Sequence, residues 1–264
     1  MKKALLVISF GTSYHETCEK NIVACERALA AGCPDRTPFR AFTSGMIIRK
    51  LKKRDGVTID TPLEALQRLA QQGYQDVAIQ SLHVINGDEY EKIVREVQAM
   101  RSHFARLVIG APLLSSHADY LQLMQALSTQ MPALNAGEKV VFMGHGASHH
   151  AFAAYACLDH MMAVHRFPAR VGAVESYPDV TVLIDSLRAE GIARVHLMPL
   201  MLVAGDHAIN DMASDEEASW KTQFLQAGID ATPWLRGLGE NPAVRAMFVD
   251  HLHQALAHAV EVAA

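Results

Sequence analysis

No hydrophobic run in this 264-residue chain approaches the roughly 20 apolar residues of a membrane-spanning helix. Excess positive charge is missing too. The 24 lysines and arginines stand against 28 aspartates and glutamates, a net charge of -4, whereas nucleic-acid binders carry a basic excess or stripe. The one dense basic cluster, RKLKKRD at Arg49–Asp55, reads as a solvated helix face with some attraction for an anionic ligand. Cysteines are few: Cys18, Cys25, Cys33 and Cys157 include no C-x-x-C pair, which excludes a zinc knuckle or a dithiol redox motif. No G-x-G-x-x-G dinucleotide fingerprint and no P-loop lysine occurs. The opening MKKALLVISFGTS starts with charge, but its apolar run is too short for a signal peptide, so it reads as a first buried strand. A cytoplasmic location with free thiols is expected.

What is present is an α/β pattern. Short apolar runs recur between Gly, Pro and Asp: ALLVISF, FRAF, DVAIQSLHV, RLVIGAPLL, KVVFMG, RVGAV, RVHLMPLMLV and IDATPWL. Each is strand-sized and rich in Val, Ile and Leu. Amphipathic stretches such as TPLEALQRLAQQG and DVTVLIDSLRAEG lie between them. The first has Pro in its opening turn and Gly after its last, the expected helix punctuation. Alternating strands and helices imply parallel βαβ units. Continuously apolar strands imply sheets covered on both faces. The Met- and Leu-rich helices read as core, and they leave room for a small homo-oligomer.

The chain also repeats itself. ALLVISFGTSYHE matches KVVFMGHGASHHA, with Gly11 opposite Gly146 and Ser13 opposite Ser148. LQRLAQQGYQDVAIQSLHVINGDEYEKI matches IDSLRAEGIARVHLMPLMLVAGDHAINDM, and 14 residues separate Gly73 from Gly87 as they do Gly191 from Gly205. Two halves on one plan follow, 1–134 and 135–264, divided at the polar linker Met131–Glu138.

Ligands of parallel sheets bind beyond the carboxyl ends of the strands. There the halves differ. Phe10 stands opposite His145, Thr43 opposite Glu175, and Glu89 opposite His207. The second half thus sets two imidazoles and a carboxylate at three successive strand ends, a donor set for a divalent first-row metal such as cobalt, nickel, iron or zinc. A histidine there also suits general base catalysis near neutral pH. Taken singly, His145 serves equally well as a turn residue, Glu175 as a helix cap, and His207 as a partner for Asp206 or Asp211. The neighbouring His149, His150 and His160 read as helix-surface residues. The acidic DMASDEE, Asp211–Glu217, reads as the early part of a helix, where the dipole favours negative charge. The turn SFGTS, with Phe10, Gly11 and Thr12, suits hydrogen bonding to a carboxylate-bearing ligand.

The segments SFGTS, AFTSGMI, SLHVINGDEY, GHG, ESYP and above all LMLVAGDHAINDM resemble the anaerobic, class II cobalt chelatases of cobalamin biosynthesis, which are similar to ferrochelatases. The resemblance covers almost the whole chain. It implies two flavodoxin-like halves, each a four-stranded parallel sheet flanked by helices, with the active site in the cleft between them. It implies insertion of Co²⁺ into sirohydrochlorin, a polycarboxylated tetrapyrrole, with no permanently bound cofactor and with Co²⁺ as substrate metal. His145, as base and ligand, Glu175 and His207 are then the metal set. Phe10, Gly11, Thr12 and Glu89 fall to the substrate side, Glu89 facing the metal from the opposite wall. An iron-inserting sibling making sirohaem and a non-catalytic metal- or tetrapyrrole-binding protein are the competing readings.

Overall fold

The computed structural model describes residues 1–261, so the outer bound expected for the second half, 264, lies outside the described residues. Among the described residues eight strands form two four-stranded sheets, ordered β2-β1-β3-β4 and β6-β5-β7-β8. They are β1 Lys2–Ser9, β2 Thr37–Phe42, β3 Tyr74–Ser81 and β4 Arg106–Gly110, then β5 Glu138–Gly144, β6 Ala169–Ala173, β7 Arg194–Pro199 and β8 Asp230–Pro233. Every pairing is parallel. All eight expected strands are therefore present.

The local chemistry explains the elements. In β1, Leu5, Leu6 and Ile8 are fully buried because helices cover both faces of the sheet. Each such burial stabilises by about 1.5–3 kcal/mol. Helix Pro62–Gln71 starts at a capping box in which Thr61 and Glu64 satisfy each other's backbone N–H groups. Its counterpart Val180–Ala189 starts at Asp179, whose side chain accepts from the Val182 N–H. One core surrounds β1 and β3 (Leu6, Ile8, Ile79, Ile93); the other surrounds β5 and β7 (Val141, Met143, Leu197, Phe224).

Hydrogen bonds beyond the strand ends fix how the halves correspond. Leu82 N–H donates to the Ile8 carbonyl at 2.8 Å, as Leu200 N–H does to Met143 at 2.7 Å. Gly87 thus corresponds to Gly205, and Glu89 to His207. Gly11 and Gly146 share a φ of 95°, a left-handed conformation in which only glycine is unstrained. At the second strand the expected match shifts by one residue. Thr43 donates to the Ser9 carbonyl as Val174 does to Gly144, and Ser44 to Phe10 as Glu175 does to His145. Ser44, not Thr43, is the counterpart of Glu175.

The strands divide at the expected linker, but the closing helices do not. One compact unit comprises residues 1–115 with helix Pro242–Glu261, and the other comprises 116–241. Helix His117–Ser128 follows β4 yet belongs to the second unit, where it meets helix Ala153–Val164. Helix Pro242–Glu261 follows β8 yet belongs to the first, where it covers β3, β4 and helix Ala24–Gly32. The first sheet is thus covered by the second repeat's last helix, while the first repeat's last helix packs within the second unit. The bounds 1–134 and 135–264 separate the sheets but not their covering helices.

Candidate metal centre

The three strand-end residues of the second unit converge. His145 follows β5 directly, and Glu175 lies two residues after β6, its N–H donating to the His145 carbonyl at 3.0 Å. That bond extends the β5–β6 ladder by one step and fixes the two side chains in register. His207 comes from the loop after β7, at the start of the π turn Ala208–Met212. His145 Nδ1 stands 3.7 Å from Glu175 Oε2. The two imidazoles meet edge to face, with centroids 4.4 Å apart and planes at 89°.

One donor atom from each of the three lies within 4.8 Å of the others. Metal–ligand distances of about 2.0–2.2 Å place donors roughly 3 Å apart, so modest side-chain rotation completes a coordination sphere. The side chains of His145, Glu175 and His207 are 44, 54 and 38% exposed. Such a set is open to solvent, leaves coordination positions free, and can release what it binds.

Glycines make the approach possible. A Cβ on Gly144 would stand 2.3 Å from the Tyr155 ring, and one on Gly146 would stand 2.9 Å from the backbone nitrogens of Glu175 and Ser176. Tyr155 packs beneath this turn and its oxygen faces the Gly146 N–H; burial pushes its phenol up to about 12, so it stays neutral. Tyr155 is a supporting residue that sequence reasoning missed, for it lies on a helix with no motif of its own.

The bland roles separate cleanly. Glu175 does not cap the following helix, since Asp179 does. His207 does pair with Asp211, Nδ1 to Oδ2 at 2.6 Å. His149 is an N-cap whose Nδ1 accepts from Ala151 N–H, and His150 and His160 are exposed. The acidic run does not open a helix. Asp211 lies inside the π turn, which ends at Met212, and residues 213–219 form turns and bends before helix Trp220–Gln226. The α pattern breaks because Met212 must reach the core one residue later than regular helix spacing brings it.

The substrate-side candidates lie in the first unit. Phe10 is 46% exposed at the end of β1, a flat apolar surface at a strand end. Thr12 is buried and its hydroxyl accepts from the Tyr14 N–H at 3.3 Å, so it braces its own turn. Glu89 sits in the first turn of helix Asp88–Met100, and its Oε2 is buried without a hydrogen-bond partner among the described residues. His83 Nε2 is likewise buried and unpartnered, while its Nδ1 lies 2.8 Å from Ser81 Oγ. Burial lowers His83 to about 4, opposed by the nearby Glu89. His83 was also missed, although SLHV against PLML in the repeat marks it.

A family model described as cobalt chelatase matches residues 3–257. The chain is 80% identical over 264 residues to sirohydrochlorin cobaltochelatase of Salmonella typhimurium, covering all of both chains. It is 33% identical over 258 residues to sirohydrochlorin cobaltochelatase CbiKC of Nitratidesulfovibrio vulgaris, covering 97% of this chain and 91% of that one. Among solved structures, SirB from Bacillus subtilis with Fe³⁺ aligns with a TM-score of 0.67 at 15% identity, over 99% of this chain and 98% of that one. DR2241 of Deinococcus radiodurans, a multi-domain protein with structural similarity to chelatases, aligns with a TM-score of 0.59 at 14% identity, over 96% of this chain and 55% of that one. At these identities the two structures speak to the fold alone.

Proposed function

The chain belongs to the cobalt chelatase family, and on that premise we propose that it inserts Co²⁺ into sirohydrochlorin through His145, Glu175 and His207. The enzyme is a sirohydrochlorin cobaltochelatase. The observation that carries the assignment of residues is the open donor set on three neighbouring strand ends, with ligand atoms within 4.8 Å of one another.

The overall reaction exchanges one Co²⁺ for two pyrrole protons. Co²⁺ arrives hydrated and loses waters stepwise to two imidazoles and a carboxylate, which are good but not irreversible ligands. Three ligands with open positions hold it more loosely than a closed cage does. The ring is then set against the open side. As each of the two N–H nitrogens of the ring takes up the metal, a protein ligand lets go and its freed lone pair receives the displaced proton; the other two ring nitrogens bind through lone pairs they already have. His145 is suited to this double role, because a neutral imidazole is a metal ligand or a base with the same nitrogen. Glu175, beside it, offers the second acceptor. Loss of protein–metal bonds is thus coupled to gain of ring–metal bonds, which favours the transition state over either bound end state. On the substrate side, exposed Phe10 offers a stacking surface, and the backbone of Gly11 and Thr12 offers hydrogen bonds. Glu89 stands at the corresponding strand end of the first sheet.

The test mixes purified protein with sirohydrochlorin and Co²⁺ and follows the visible spectrum. Conversion well above the protein-free rate is expected. A spectrum that changes no faster than the protein-free control overturns the reading.

A further inference from the structure

Asp211 follows His207 by four positions and brings its Oδ2 to 2.6 Å from His207 Nδ1. Residues four apart also meet on a regular helix, but there Asp211 would fall on the face that packs into the core. In the first half, helix Asp88–Met100 is α throughout, and Ile93, four positions after Glu89, is fully buried in the core. In the second half the fully buried core residue is Met212, five positions after His207. The π turn Ala208–Met212 therefore holds one residue more than its counterpart. With α spacing, Asp211 would occupy the core position that Ile93 fills, where an unpaired carboxylate is costly. The extra residue passes that position to Met212 and leaves Asp211 at the side of the imidazole, half exposed. Single π turns inside helices are rare and concentrate at functional sites.

We infer that Asp211 is a positioning residue for cobalt insertion: it fixes the tautomer and orientation of His207. An ionised carboxylate only accepts hydrogen bonds, so the 2.6 Å contact requires the proton on Nδ1. Nε2 is then bare and is the one nitrogen left to bind Co²⁺. The carboxylate also raises the electron density of the ring and holds it against rotation. Carboxylate partners of ligating histidines act in this way, and removing them costs about 10–100-fold in metal affinity or activity. His145 is held more loosely: its Nδ1 lies 3.2 Å from the Gly146 carbonyl and 3.7 Å from Glu175, itself a candidate ligand. The two imidazoles therefore divide the work. His207 is held as a fixed ligand, and His145 is left free to change from ligand to base.

The inference rests on the chelatase reading, but its test does not depend on turnover. Histidine ¹⁵N spectra of the metal-free protein at pH 8 should show His207 with Nδ1 protonated and Nε2 bare. Asp211→Ala should return the ring to a mixture with Nε2–H. The Asp211→Ala enzyme should need about 10–100-fold more Co²⁺ for half-maximal rate, with the half-saturating tetrapyrrole concentration and circular dichroism unchanged. Asp211→Leu, which is not smaller and carries no acceptor, gives the same readings should the alanine variant fold poorly. An unchanged His207 tautomer and Co²⁺ requirement in either folded variant overturns the inference. So does a loss of rate that is the same at all Co²⁺ concentrations. A wild-type protein that shows the Nδ1–H tautomer but no cobalt insertion overturns the chelatase reading instead.

Discussion

Gly146→Ala is the most informative single perturbation of the centre. Two costs add. The residue has φ of 95°, where an L side chain is strained, by about 1–3 kcal/mol. Its new Cβ would also lie 2.9 Å from the nitrogens of Glu175 and Ser176 and 2.8 Å from Ser176 Oγ. Backbone cannot rotate aside, and overpacking of this kind costs about 1–3 kcal/mol. The sum is about 2–6 kcal/mol. Gly191→Ala supplies the control: φ is 71° but nothing lies within 4 Å of the added carbon, which leaves strain alone at about 1–2 kcal/mol. In a chain of this size each kcal/mol moves Tm by about 2–4 °C, so drops near about 10 °C and about 4 °C are expected. Scanning calorimetry measures both. Function should separate them further, because relieving the contact moves Glu175 and stretches its hydrogen bond to the His145 carbonyl. Cobalt insertion should fall at least about tenfold in Gly146→Ala, as expected when positioning is lost, and stay near wild type in Gly191→Ala. Equal Tm losses, or full activity in Gly146→Ala, would refute the claim that this glycine exists to let the two strand ends approach.

Two further outcomes are expected. His145→Ala should abolish cobalt insertion while leaving circular dichroism and Tm close to wild type, since its side chain is 44% exposed and fills no core space; near-normal turnover would remove His145 from the mechanism. His83 titrates at about 4 when folded against 6.5 when exposed, because burial disfavours its cation. The unfolded chain therefore takes up the proton first. Stability present above pH 6.5 is lost as pH falls toward 4, and His83→Gln should flatten that slope in urea denaturation measured from pH 7 to 4.5. An unaltered slope, or a His83 ring proton titrating near pH 6.5 in NMR spectra, would contradict the burial of Nε2.

The sequence by itself determined a good deal. Strand-length Val-, Ile- and Leu-rich runs bounded by Gly, Pro and Asp read as strands covered on both faces, and the ungapped Gly-to-Gly intervals read as two copies of one plan. A repeat lets residue types be compared at equivalent strand ends, which singles out His145, Glu175 and His207. Family membership was legible for the same reason, since the motifs sit at those ends. Other features were decided by tertiary structure. The counterpart of Glu175 is Ser44 rather than Thr43, because register follows inter-strand hydrogen bonds and not the letters of a loop. The closing helices belong to the opposite units, and the choice of packing partner has no local signature. The sequence offered His207 two acidic partners, Asp206 and Asp211, and the structure pairs it with Asp211 at 2.6 Å. Only the competition between Met212 and the core shows that the helix carries an extra residue there, which keeps that carboxylate out of the core and beside the imidazole.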